Sequence, residues 1–191
     1  MAVLYLRIPE DRVAVVIGPG GRTKRALEVS TGTRINVDAG EGQIQVTSPD
    51  GGDPIGALKA RDVVLAMGRG FSPERARRLL RDDTYLGVID IKRVSRHKEK
   101  AALWRIRSRL IGVEGRARTR IEELSGCSMS VYGSTVALIG EEEQLERATR
   151  AVELLLKGSE HSTVFHYLAR LRRDAAVEQA ISSPSIAEDE G

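Results

Sequence analysis

IGPGGRTKRALEVSTGTRINV, residues 17–37, and IGVEGRARTRIEELSGCSMSV, residues 111–131, superpose without a gap. The offset of 94 lays Gly18 on Gly112, Gly21 on Gly115, Arg22 on Arg116, Lys24 on Arg118, Leu27 on Ile121, Gly32 on Gly126 and Val37 on Val131. Further on, at an offset of 88, Ala60, Val63, Val64 and Met67 lie on Ala148, Ala151, Val152 and Leu155. Both sets are spaced i, i+3, i+4, i+7, as along one face of a helix. Two copies of one domain therefore make up most of the chain.

Each copy reads in the same order. Val3 to Ile8 is a short β-type run, and Pro9 with Glu10 and Asp11 opens a helix whose apolar positions end at Ile17. After the glycine loop a second helix runs from about Arg22 to Ser30, stopped by Gly32. Arg34 to Asp38 and Gln43 to Ser48 alternate across an Ala-Gly-Glu-Gly turn as a hairpin, and a third helix spans about Asp53 to Met67. The order is βααββα. Copy two repeats it with a strand at about Leu86 to Ile91 and a longer first helix, about Arg96 to Ile111. Ser72 and Pro73 start a short Arg-rich helix between the copies, and a further helix spans about Ser162 to Arg173, with Val164, Leu168 and Leu171 inward. The expected divisions are residues 1–70, a linker 71–84, residues 85–173, and a disordered acidic tail 174–191.

The 191 residues carry 30 Lys and Arg against 27 Asp and Glu, a net charge of +3 that conceals an asymmetry. From Asp174 onward there are five acids and no base, which leaves 30 bases against 22 acids in residues 1–173. Lys92 to Arg120 alone holds eleven Lys or Arg against Glu99 and Glu114. Such an excess fits a polyanionic partner, or a solvated, ion-paired face. The single cysteine, Cys127, excludes a disulfide framework within the chain and suits a reducing, cytoplasmic setting as a small core filler. The N-terminus shows no secretory pattern and no apolar run reaches membrane-spanning length, so a soluble, untargeted protein is expected.

The glycine loops match neither a Walker loop nor a dinucleotide fingerprint, whose spacings differ. Helix, Ile-Gly-x-x-Gly, helix, Gly and alternating strand instead resemble the signature of the KH RNA-binding module, in its type I order. That gives an α+β fold of two tandem KH domains, each a three-stranded sheet with helices packed on one face. Two such modules, the second entered by a long basic helix and containing SVYGSTVALIGE, are similar to the archaeal Partner-of-Nob family of pre-ribosomal RNA processing factors. The resemblance implies a non-enzymatic assembly factor that binds single-stranded RNA of the small ribosomal subunit near its 3′ end. It also implies an rRNA-processing endonuclease as partner. A protein scaffold that docks a nuclease or a translation initiation factor, with incidental RNA affinity, is the alternative.

Glycines at both ends of the loop allow a tight turn and close approach of a sugar-phosphate chain. The following helix offers its positive end to phosphate. The expected RNA-binding residues are Ile17, Gly18, Pro19, Gly20, Gly21, Arg22, Lys24, Arg25 and Arg34 in copy one. In copy two they are Arg109, Ile111, Gly112, Val113, Glu114, Gly115, Arg116, Arg118 and Arg120. Bases would rest on aliphatic side chains, Ile17, Ile35 and Val37 or Ile111, Met129 and Val131, because aromatics make up only 4% of the chain. Lys24 and Arg118 stand where a KH module usually has Ile, and Glu114 would repel phosphate unless paired with Arg116 or Arg118. Trp104 reads as packing between modules. His161 and His166 are five apart, off the spacing of a helical metal pair, and His97 lies in the basic segment; surface or helix-end roles suit all three. Nothing calls for a metal, a cofactor or a catalytic group.

Overall fold

The computed structural model describes residues 2–38, 40–49, 52–95 and 99–182, with the backbone alone at 179 and 182. The first module comprises β1 (Ala2–Arg7), α1 (Glu10–Ile17), α2 (Arg22–Thr31), β2 (Arg34–Asp38), β3 (Gln43–Ser48) and α3 (Pro54–Gly68). Its antiparallel sheet has the order β1-β3-β2, with Leu4 opposite Val46 and Ile35 opposite Val46 on the other side. Gly32 ends α2 at φ 62°, and its N–H donates to the Glu28 carbonyl. Asp53 caps α3 by accepting from the Ile55 N–H at 2.8 Å, and Pro54 takes the first helical position. Ile44, Val46, Val16, Ala60 and Val64 are fully buried where the sheet meets the helices.

The linker holds α4 (Pro73–Ala76), which tightens into a 3-10 turn over Arg77–Leu80. The second module follows as β4 (Tyr85–Asp90), α5 (Ile91–Ser95), α6 (Lys100–Ile111), α7 (Arg116–Ser125), β5 (Ser128–Tyr132), β6 (Thr135–Gly140) and α8 (Glu142–Leu156). Its sheet order, β4-β6-β5, is the same. The long helix expected at about Arg96 to Ile111 is described from Lys100 onward as α6, and a separate short helix, α5, capped by Asp90 through the Lys92 N–H at 2.8 Å, precedes the span. Arg96, His97 and Lys98, part of the basic segment, lie outside the described residues, as do Ala39 and residues 183–191 of the tail. Glu141 and Gln144 form a reciprocal capping box at α8. The last helix, α9 (His161–Ser182), continues past the end expected at Arg173, so residues 174–182 are helical rather than disordered. Val164 and Leu168 of α9 are fully buried, as their spacing requires.

The two sheets differ in their outer faces. Every residue of β6 is buried, because alternation sends its side chains to two cores. Val136 and Leu138 belong to the second module's own core, while Ala137 and Ile139 pack into the first module's core with Phe71, Ala76 and Leu79. Burying Phe71 and Ile139 contributes about 2 kcal/mol each. The helices thus cover one face of the second sheet, and the linker with the first module covers the other. Burial pushes the Cys127 thiol up to about 12, which suits an inert core position. No described helix is long and apolar enough to cross a membrane.

Candidate nucleic-acid interface

The two glycine corners share one backbone. Gly18, Gly20 and Gly21 have φ of 71°, 57° and 75°, and Gly112, Glu114 and Gly115 have 75°, 53° and 77°. The first glycine of each corner is required by the protein itself. A Cβ on Gly18 would stand 2.0 Å from Thr23 Oγ1, and one on Gly112 2.6 Å from the Ala117 Cβ, because α2 and α7 fold back against the preceding helix. The outer positions are different: a Cβ on Gly20 meets nothing within 4 Å. Pro19, Gly20, Val113 and Glu114 are exposed, so both corners are open to a strand lying across them. Glu114 is the one described non-glycine residue at positive φ.

The cations gathered at each corner are partly engaged. Arg22 Nε donates to the Pro19 carbonyl at 3.3 Å, and Arg25 donates to the Gly20 carbonyl, folding both guanidinium groups over the first loop. Arg116 pairs with Glu114 at 2.7 Å, which offsets the carboxylate that the loop carries. Arg120 pairs with Glu123 at 3.2 Å. Arg34 is exposed at the start of β2, on a shallow cleft it shares with Glu28, Asn36 and Pro49. Arg109 lines a cleft with Gly112, Val113, Arg116 and Arg120, and its guanidinium is engaged there by the Gly158 and Ser159 carbonyls of the α8–α9 turn, while its own carbonyl meets His161 Nε2 at 2.9 Å.

Lys24 does not reach outward. Its ammonium lies 3.1 Å from Glu28 Oε1 and 3.2 Å from the Ile35 carbonyl, so it joins α2 to the edge strand β2. The Glu28 carboxylate accepts the Ile35 N–H at 2.8 Å. The second module repeats the device with Glu122, which accepts the Met129 N–H and pairs with Arg118 at 4.0 Å. Glu28 and Glu122 match at the offset of 94, the one signal in the sequence that could have found them.

The two sheet edges are not equally accessible. Arg75 of α4 joins Glu122, Arg78 Nη1 donates to Ser128 Oγ at 2.7 Å, and Ser130 Oγ donates to the Arg69 carbonyl at 2.9 Å. The segment Arg69–Arg78 therefore lies across β5, whereas β2 has no such cover among the described residues. Tyr132, ending β5, donates to Asp11 of α1 and stacks under Arg12, whose guanidinium is 5.7 Å from the ring centroid. That hydrogen bond to a carboxylate holds the Tyr132 hydroxyl above its ordinary pKa. Of the expected base-resting side chains, Ile35 and Met129 are core residues at 3% and 0% exposure. Ile17, Val37, Ile111 and Val131 are half-buried, and Ile17, Val37 and Val131 pack against the two cores. Trp104 does not pack between the modules; it is 68% exposed.

Comparison with known proteins agrees with this geometry. A family model described as eukaryotic type KH-domain (KH-domain type I) matches residues 85–173, and one described as KH domain matches residues 3–66. A KH domain-containing protein of Methanocaldococcus jannaschii is 42% identical over 173 residues, which cover 90% of this chain and 75% of that protein. The crystal structure of Dim2p from Pyrococcus horikoshii is similar, with a TM-score of 0.84 and 48% identity over 89% of this chain and 99% of that one. A chain in the Pyrococcus horikoshii a/eIF2alpha–aDim2p–rRNA complex gives 0.85 and 48% over 91% and 95%. An Aeropyrum pernix protein of unknown function gives 0.89 and 37% over 94% and 95%.

Proposed function

Because this chain belongs to the archaeal tandem KH family of Dim2p, the Partner-of-Nob proteins, we propose that it binds single-stranded RNA through its two glycine corners. The RNA is that of the small ribosomal subunit near its 3′ end, and the role is that of a non-enzymatic ribosome-assembly and rRNA-processing factor in the cytoplasm. The observation that carries this reading is the matching backbone of the two open corners, each preceded by a half-buried isoleucine, Ile17 or Ile111. At Gly20 an anionic strand can meet main-chain atoms without meeting a Cβ, whereas at the second corner it meets Val113 and Glu114. The relative's complex, which holds aDim2p with rRNA, supports the ligand class.

Each site neutralises about two to three phosphates, and affinity should fall with salt by about 0.7 log units per phosphate and decade. One module alone is weak under those terms. Two tethered modules on one RNA gain about 10² to 10⁴ in apparent affinity. The second module supplies the denser basic surface.

A second reading, a scaffold that docks a translation initiation factor or a nuclease with incidental RNA affinity, has support for the first of these partners in the relative's complex with a/eIF2alpha. One titration separates the readings. Pro19 and Gly20, or Val113 and Glu114, are replaced by Asp-Asp, and affinity for single-stranded RNA is measured across salt. Loss in one variant identifies the dominant corner, and unchanged affinity in both favours the scaffold. Asp tolerates the left-handed conformation at the outer position, so the variants should fold.

A further inference from the structure

The face of α6 that leads into the second corner carries a feature absent from the first copy. Ile111, Arg107, Trp104 and Lys100 are spaced four, three and four apart and so share one side of the helix. Trp104 lies about 10 Å along the axis from Ile111. With Lys92, Lys100, Leu103, Arg107 and the Gly133–Ser134 turn it surrounds a shallow cavity of about 360 Å³. That turn joins β5 to β6, so the cavity borders the end of β5. Arg107 lines this cavity from the helix side. Its Nε is shielded from solvent without a hydrogen-bond partner.

The surroundings decide what an exposed indole here can take. Around the corner Arg116, Arg118 and Arg120 are paired with glutamates. Among the described residues no carboxylate pairs with Lys92, Lys100 or Arg107. An indole ringed by three cations that no described carboxylate pairs is suited to a planar group flanked by anionic charge, not to an apolar protein surface. At the matching position the first copy has Glu10, whose carboxylate would repel phosphate.

We infer that Trp104 is a stacking platform for one unpaired nucleobase, extending the second module's groove beyond its corner, with Lys92, Lys100 and Arg107 neutralising the adjoining phosphates. The inference rests on the RNA reading above and deepens it by placing a base-stacking subsite on α6.

Trp104 is the chain's single tryptophan, so its emission reports on this patch alone. The full chain is titrated with single-stranded RNAs of about four and about eight nucleotides, the shorter enough for one KH groove. Anisotropy of end-labelled RNA gives affinity, and unlabelled RNA gives indole quenching. The longer RNA is expected to quench the emission. Trp104→Ala should weaken the longer RNA about tenfold and leave the shorter unchanged, while Trp104→Phe keeps most of the affinity. Because the side chain is exposed, neither variant should unfold the module. RNA binding with unquenched emission, or an equal effect of Trp104→Ala on both lengths, overturns the platform and leaves the RNA reading standing. No binding by the parent chain overturns the RNA reading, and the platform falls with it.

Discussion

Glu28 accepts the main-chain N–H of Ile35 at 2.8 Å, placing a carboxylate on the sheet edge beside the first groove. The same oxygen holds the Lys24 ammonium at 3.1 Å, and that ammonium also binds the Ile35 carbonyl. One ion pair thus occupies both hydrogen-bonding groups of Ile35. A base approaching this edge meets groups already satisfied, and an approaching phosphate meets a negative charge. Val37, two residues on and facing the same edge, is the nearer free position.

Glu28→Gln should therefore raise affinity for single-stranded RNA. The amide oxygen can still accept from Ile35, while Lys24 loses its charged partner and is released toward phosphate. The gain expected from one such half-exposed pair is about two- to fivefold, largest at low salt. Anisotropy titrations at two ionic strengths check it, and a fall in affinity would contradict the role assigned to Glu28.

Glu114 occupies a left-handed position, φ 53°, where the first copy has Gly20. Glu114→Gly removes strain of about 1 kcal/mol and adds chain entropy to the unfolded state, so stability should change by less than about 1 kcal/mol. Affinity should rise because the carboxylate leaves the corner and Arg116 is freed from its 2.7 Å pair. The salt slope should steepen by about 0.7 if Arg116 takes up a phosphate.

The glycines of the first corner should fail by different amounts. Gly18→Ala drives a Cβ to 2.0 Å from Thr23 Oγ1 at a backbone conformation few residues adopt, and should cost about 3 kcal/mol or more. Gly21→Ala meets only the flexible end of Arg25 at 3.1 Å and should cost about 1 kcal/mol for its positive φ. Denaturant unfolding distinguishes the two, and equal costs would refute the packing account of Gly18.

The contact of Tyr132 with Asp11 should make the union of the modules sensitive to alkali. Its hydroxyl titrates above the ordinary value of about 10, because ionisation would break the hydrogen bond it donates to Asp11. A raised folded-state pKa contributes stability that is intact below the unfolded value and is lost as pH rises through the folded one. Thermal melts of the parent should therefore decline above about pH 10 more steeply than those of Tyr132→Phe. At neutral pH the variant should lose about 1 kcal/mol or less, since the pair is half-exposed.

Much of the fold was legible because it is local and written twice. The glycine spacing, the helix periodicity and the alternating hairpins constrain neighbouring residues, and the repeat shows which features belong to the domain. The boundaries of α1, α2, β2 and β3 follow from those patterns to within a residue or two. The extension of α9 to Ser182 did not follow, since Asp174 to Ser182 continues no strong apolar stripe and is exposed along most of its length.

The candidate site divides along the same line. The sequence by itself determined two glycine corners, their order in each domain, and the basic surroundings that point to an anionic strand. Only the tertiary structure decided that Arg109 holds a turn, that Lys24 faces the strand edge, that Trp104 is open, and that the linker lies across β5 and not β2. Torsional preference and periodicity act over a few residues and leave their mark in the order of the chain. Which cation meets which carboxylate, and which sheet face is covered, depends on segments brought together across tens of residues, and no local pattern records that encounter.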